Sequence, residues 1–194
     1  SRININKPDT LVLIYSKMMV AALLLQPTPK RILILGLGGC AVSNFLARLY
    51  PNTAIDIIEV DGKVIDIAQK FFYLNESSNH RVYLKDGRKF VQDALSQKPY
   101  DLIYLDAFKS GSVPFHLKTI QFYKDLVQIL APKGVVGSNL YGKSNSLKHN
   151  DWKTFSTGFK RVYCFEDYAG VATVLFATNR EKAWNTKDFN QAAK

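Results

Sequence analysis

Short apolar runs rich in branched side chains alternate along the chain with stretches whose apolar residues recur every three to four positions. This is the pattern of β-strands linked by helices. The run 31–35 (RILIL) is apolar almost throughout, as a strand covered on both faces must be. Pro27 and Pro29 stop whatever precedes it. Val42, Phe45, Leu46 and Leu49 then share one face of a helix predicted over 41–50, which Pro51 closes. The same reading predicts strands over 54–59, 81–85, 100–105, 135–140, 161–166 and 171–178, and helices over 63–72, 88–95, 117–130 and 152–159. Ala131-Pro132-Lys133-Gly134 ends the longest of these helices. Asp167-Tyr168-Ala169-Gly170 is short enough to join the last two strands as an antiparallel hairpin. Residues 10–25 predict one more helix, packed on the sheet edge with its apolar face in the core.

Seven strands, mostly parallel and finished by an antiparallel hairpin, predict an α/β methyltransferase-type Rossmann fold. A dinucleotide-binding domain would instead continue with further βα units. A chain of 194 residues leaves no room for a second domain of ordinary size. One domain is therefore expected over 1–194, with an N-terminal helix over 10–26, a Rossmann core over 30–178 and a C-terminal tail over 179–194. The longest apolar run, 11–25, is interrupted by Lys17 and falls short of the roughly 20 residues needed to span a bilayer. No small-residue cleavage site follows it, so neither a transmembrane segment nor a signal peptide is expected in this chain. The chain opens on Ser1, which leaves room for a longer native N-terminus with an accessory or membrane domain. Two cysteines cannot build a disulfide framework, and a reducing, cytoplasmic setting is expected.

Composition changes this picture in one respect. Apolar residues at 47% and charged residues at 22% are ordinary for a globular protein and exclude disorder. Lys plus Arg at 26 against Asp plus Glu at 16, however, leaves a net charge of +10. The basic residues stand mostly singly rather than in runs, which argues against a nucleic-acid arm. The bias concentrates between Lys109 and Arg161, where nine basic residues face only Asp125 and Asp151. That stretch is expected to wall the acceptor side of a site and to favour an anionic acceptor or partner. Its alternative is a solvated, solubilising surface.

The chemistry gathers at strand ends. The first strand runs into Gly36-Leu37-Gly38-Gly39-Cys40-Ala41, where glycines let the backbone approach a ligand closely. Glu59 ends the second strand, 21 residues past Gly38, where a carboxylate can accept hydrogen bonds from ribose hydroxyls, with Val60 beside it. Asp61 is placed to cap the next helix. Asp86-Gly87 ends the third strand and suits either an adenine edge or a helix cap, roles one residue can combine. Asp106 ends the fourth. Gly36, Gly38, Gly39, Glu59, Val60, Asp86, Gly87 and Asp106 are the expected nucleoside-binding residues. Asp106 is the expected catalytic acid or base. Asn139 and Tyr141, after the fifth strand, are either acceptor-side polar groups or plain loop residues. His80, His116 and His149 follow no metal-ligand spacing, and no metal is expected. Cys40 at a helix start reads either as a thiol of lowered pKa or, preferably, as a small packing residue.

Several of these segments together resemble the spermidine synthase family: residues 29–36 (PKRILILG), 58–61 (IEVD), Arg81-Val82, 86–90 (DGRKF) and 100–106 (YDLIYLD), with Tyr15 and Met18 ahead of the proline pair. The resemblance implies an S-adenosyl-type donor, with Glu59 on the ribose, Asp86 at the adenine and Asp106 beside the reacting centre. Two departures stand out. Where the family carries an acid inside the glycine loop, this chain has Gly39, and where it carries a second acid past Asp106, this chain has Lys109. A lysine there repels a diamine by about 1 kcal/mol at 4 Å in water, and by more in a drier site. Residues 106–108 (DAF), Val113-Pro114 and Phe122-Tyr123 also resemble spermidine synthase-like proteins and some methyltransferases. The expectation is therefore methyl transfer from S-adenosylmethionine to a small-molecule or anionic acceptor. The alternatives are aminopropyl transfer from decarboxylated S-adenosylmethionine, and a non-catalytic nucleoside-binding domain of a larger protein. A homodimer is left open.

Overall fold

In the computed structural model, residues 2–8, 10–108, 113–140 and 147–194 are described. Strand β1 (Arg31–Leu35) pairs in parallel with β2 (Ala54–Glu59) and with β4 (Tyr100–Leu105). Beyond them lie β3 (His80–Leu84) on one side and β5 (Leu130–Asn139) on the other, both parallel to their neighbours. The last strands, β6 (Arg161–Glu166) and β7 (Thr173–Thr178), form a hairpin, with β7 antiparallel to β5. The order is β3-β2-β1-β4-β5-β7-β6. The chain thus winds outward from β1 to β3 and then crosses to β4 on the opposite side, which opens a crevice at the carboxyl ends of β1 and β4.

Alternation along β1 explains its unbroken apolar run. Ile32 and Ile34 enter one core cluster, Leu33 and Leu35 the other, and all four are buried. Helices α3 (Ala41–Leu49) and α4 (Gly62–Phe71) bring residues to the first cluster, α5 (Gly87–Asp93), α6 (Ile120–Ile129) and α7 (Lys148–Ser156) to the second.

Several expectations shift, among them the fifth strand, which starts at Leu130 and runs through the stop expected at 131–134. The N-terminal helix is two short pieces, α1 (Ile14–Met19) and α2 (Ala22–Leu25). They lie across β5 and β7 rather than on the sheet edge. Met19, Ala22 and Leu25 are all fully buried. The join between the two pieces tightens to three residues per turn, as hydrogen bonds from Ala21 N–H to Met18 and from Leu23 N–H to Val20 show. Helix α6 starts at Ile120 because Thr119 caps it, its hydroxyl accepting from Phe122 N–H at 3.2 Å, and residues 115–117 make a separate short turn. Helix α7 begins at Lys148, earlier than expected, and ends at Ser156. The expected tail contains α8 (Thr186–Ala192), closed by a reciprocal cap between Asn185 and Asp188. Phe189 of α8 meets the rings of Tyr163, Phe165 and Trp184 edge-on at 5.1–5.4 Å.

His80 opens β3 in a buried position. Nδ1 lies 2.8 Å from the Asn75 carbonyl, and Nε2 finds no partner among the described residues. Burial pushes its pKa below the ordinary 6.5, against the opposing pull of the Asn75 carbonyl and Glu76. The unfolded chain therefore takes up a proton at a pH where the folded chain does not. The His80 contribution to stability in urea is expected to be lost as pH drops below 6.5, so that His80→Gln gains relative to wild type as pH falls. Equal slopes in both proteins would assign the effect elsewhere.

Candidate active site

The crevice widens into a cavity of about 830 Å³ lined by all four strand-end groups expected from the sequence, together with residues of α1 and the 114–117 segment. Its floor is the crossing of two chain segments. Gly36 donates its N–H to Ile58 O at 2.8 Å, and Asp106 N–H donates to Leu35 O at 2.9 Å. The glycine loop then bends through left-handed backbone at Gly36, Gly38 and Cys40.

Glu59 holds this loop in place. One carboxylate oxygen accepts from Leu37 N–H at 3.0 Å, and the other from Val60 and Asp61 N–H at 2.9 and 3.0 Å. An ionised carboxylate has about four lone-pair sites, so acceptor capacity remains for a ribose hydroxyl. Asp61 caps α4 through Lys63 N–H at 2.9 Å, as expected of it. Val60 is exposed at the cavity wall.

Asp86 takes the expected helix-cap position and also faces the cavity. It caps α5 by accepting from Lys89 N–H at 3.0 Å, and it lines the cavity beside Gly87. Its second oxygen lies 2.9 Å from Nε2 of His116. Burial pulls the Asp86 pKa upward, but the Lys89 N–H and His116 outweigh it and hold the group below its ordinary value.

Asp106 lines the cavity from the end of β4 and is partly buried. Asn139 Nδ2 donates to it at 2.9 Å from the end of β5, and the Tyr15 hydroxyl donates from α1. Burial pushes the Asp106 pKa up to about 6, with these two bonds pulling the other way. The Tyr15 hydroxyl is itself pushed well up by burial and by Asp106. Asn139 thus ends β5 and lines the cavity rather than lying in the loop that follows.

Two contributors, Tyr15 and His116, were not among the expected site residues. Tyr15 carried a signal, as part of the family-like helix. His116 carried none, because its partner lies 30 residues away. Lys109 and Tyr141 lie outside the described residues.

The basic stretch behaves differently from expectation. Among its described basic residues, His116 alone lines the cavity. Lys118 pairs with Asp151 at 3.0 Å, while Lys148 and Lys160 pair with Glu166 and Glu181 from beyond the stretch. Lys133 lies at the opposite rim, its carbonyl bound by Arg180. Three of the described lysines of this stretch, Lys118, Lys148 and Lys160, are thus engaged in folding contacts. Cys40 is a buried packing residue whose thiol is pushed up to about 12 by burial. A lowered pKa there is overturned. Among the described residues no cluster of three or more His, Cys, Asp or Glu could hold a metal, and no helix is long and apolar enough to cross a membrane.

Residues 12–190 match the model of the Spermine/spermidine synthase domain. A polyamine aminopropyltransferase of Vibrio vulnificus is 40% identical over 153 residues, covering 78% of this chain and 51% of that protein. The eEF1A lysine and N-terminal methyltransferase of Xenopus laevis is 25% identical over 196 residues, covering 93% of this chain and 28% of that protein. The chain thus spans about half the length of the first relative and about a quarter of the second. Among solved structures, human Methyltransferase-like protein 13 in complex with SAH superimposes with a TM-score of 0.84 at 23% identity, covering 94% of this chain and 90% of that one.

Proposed function

From the premise that this chain belongs to the spermine/spermidine synthase family, we propose that it is a transferase that binds S-adenosylmethionine and passes the methyl group to an acceptor held beside Asp106. One observation carries the choice of methyl transfer. Among the described residues the cavity's acids are Glu59, Asp61, Asp86 and Asp106, and no acid stands at Gly39, where the resemblance implies one to hold a donor's amine. An acid there would repel a donor carboxylate at close range, and its absence leaves room for the carboxylated donor.

When bound, the donor supplies an electrophilic methyl carbon on a positively charged sulfur. The acceptor's lone pair forms the new bond to that carbon as the carbon–sulfur pair returns to sulfur, leaving a neutral thioether. The chain's part is to align the two reactants and to receive a proton. Glu59 and the loop it ties down hold the ribose, Val60 flanks the nucleoside, and Asp86 takes the base. Asp106, oriented by Asn139 and Tyr15, accepts the proton that the acceptor releases.

Aminopropyl transfer is the second reading, favoured by the 40% identity to the Vibrio vulnificus relative. Calorimetry separates the two. S-adenosylmethionine is expected to bind at least about tenfold more tightly than its decarboxylated form, a gap of about 1.4 kcal/mol. The reverse preference would favour aminopropyl transfer. Tight donor binding with no turnover across a broad amine and hydroxyl panel would leave a non-catalytic nucleoside-binding domain.

A further inference from the structure

We infer that His116 is a positioning residue for base recognition, and that it makes the cavity selective for a 6-amino over a 6-oxo purine. This rests on the placement of the base at Asp86 proposed above. Asp86 is held below its ordinary pKa and is ionised at neutral pH, so it only accepts. The 2.9 Å contact therefore requires His116 Nε2 to carry the hydrogen and donate it. One carboxylate oxygen is already committed to Lys89 N–H. With His116 on the other and the Arg88 N–H also donating to the group, three of about four lone-pair sites are taken, and one is left for a ligand donor.

The histidine is placed independently of any ligand. Arg88 Nη1 donates to the His116 carbonyl at 3.0 Å and to Thr119 Oγ1 at 3.1 Å, strapping this segment to the first turn of α5. Leu117 lies against Gly87, within 3.6 Å of where a Cβ would stand. Asp86, His116 and Leu117 all line the cavity. The other charged groups close by are accounted for: Lys85 pairs with Asp93, and Arg88 is held in the strap. An exocyclic amine can donate to the fixed carboxylate. A 6-oxo group would place one acceptor against another, with loss of affinity. His116 is half exposed, which limits the expected effect to about tenfold.

The test is calorimetric titration of the whole chain with S-adenosylhomocysteine and with S-inosylhomocysteine, which differ at the 6-substituent and, with it, at N1, an acceptor in the first and an N–H donor in the second. Three variants are compared. H116A removes the ring, H116F keeps a ring with no donor, and H116Q keeps a donor with no ring. H116A and H116F are expected to bind the adenosine compound about tenfold more weakly, with the preference over the inosine compound reduced about tenfold, while H116Q retains both. Wild-type affinity and preference in H116F would overturn the role of the histidine while leaving the donor site standing. Loss of both in H116Q but not in H116F would assign the effect to packing and overturn it equally. Failure of the wild-type chain to bind either compound would overturn the donor site itself, and this inference with it. Thermal unfolding of each variant separates loss of binding from loss of fold.

Discussion

Asp106→Asn is expected to lower the turnover of methyl transfer by about a thousandfold while changing donor affinity by less than about threefold. The asymmetry follows from the geometry. The proposed ribose and base contacts belong to the ends of β2 and β3, whereas Asp106 stands at the end of β4 among Asn139 and Tyr15. An asparagine keeps the shape and still accepts from Asn139, but it cannot take a proton. The wild-type pH profile gives a second signature. With its pKa pushed up to about 6, Asp106 is protonated and idle below that pH, so kcat should fall there with unit slope and level off above it. The linkage to stability has the opposite sign. A carboxylate whose folded pKa is raised opposes folding at neutral pH and is relieved as pH falls through 6 toward 3.8, so the asparagine variant should melt no lower than wild type at pH 7. Steady-state kinetics and thermal unfolding on the same preparations check both halves. An activity loss matched by a collapse in donor affinity would place Asp106 in donor binding instead.

Gly36→Ala is expected to cost about 3 kcal/mol or more and to lower the melting temperature by about 6–12 °C. Gly36 has φ +99°, a backbone region L side chains rarely adopt. A Cβ there would stand 2.5 Å from the Asp106 carbonyl oxygen, 2.7 Å from its carbon and 2.8 Å from Ala107 Cα. All three are backbone atoms, so no side-chain rotation relieves the clash, and β1 and β4 must separate at the floor of the cavity. Donor binding should be lost together with stability. A variant melting within about a degree of wild type would contradict this close crossing.

The parts of the fold legible in the sequence are those in which one residue's neighbours along the chain carry the signal. The unbroken run at β1, the helical faces of α3 and α4, and the short turn between β6 and β7 all work this way. Strand-end chemistry was legible for the same reason: Gly36, Glu59, Asp86 and Asp106 each follow directly on an apolar run, so locating the run locates the group. What stayed hidden depends on distance through space. The two pieces of α1 and α2 read as one helix because the tightening between them serves burial against β5 and β7, which the local pattern does not contain. The stretch 109–161 read as an uncompensated positive surface because Glu166 and Glu181, which pair with two of its lysines, come from later in the chain.

The sequence by itself determined the α/β class, the seven strands, and which residues would stand at the carboxyl ends of β1 to β4, because side-chain periodicity and turn chemistry are local. Only the tertiary structure decided how those ends are used. It placed Gly36 against the backbone of Asp106, brought Tyr15 and Asn139 onto that carboxylate, and set His116 on Asp86. Each of these contacts joins residues that are far apart in the chain, and their burial and hydrogen bonding arise only once the sheet has brought them together.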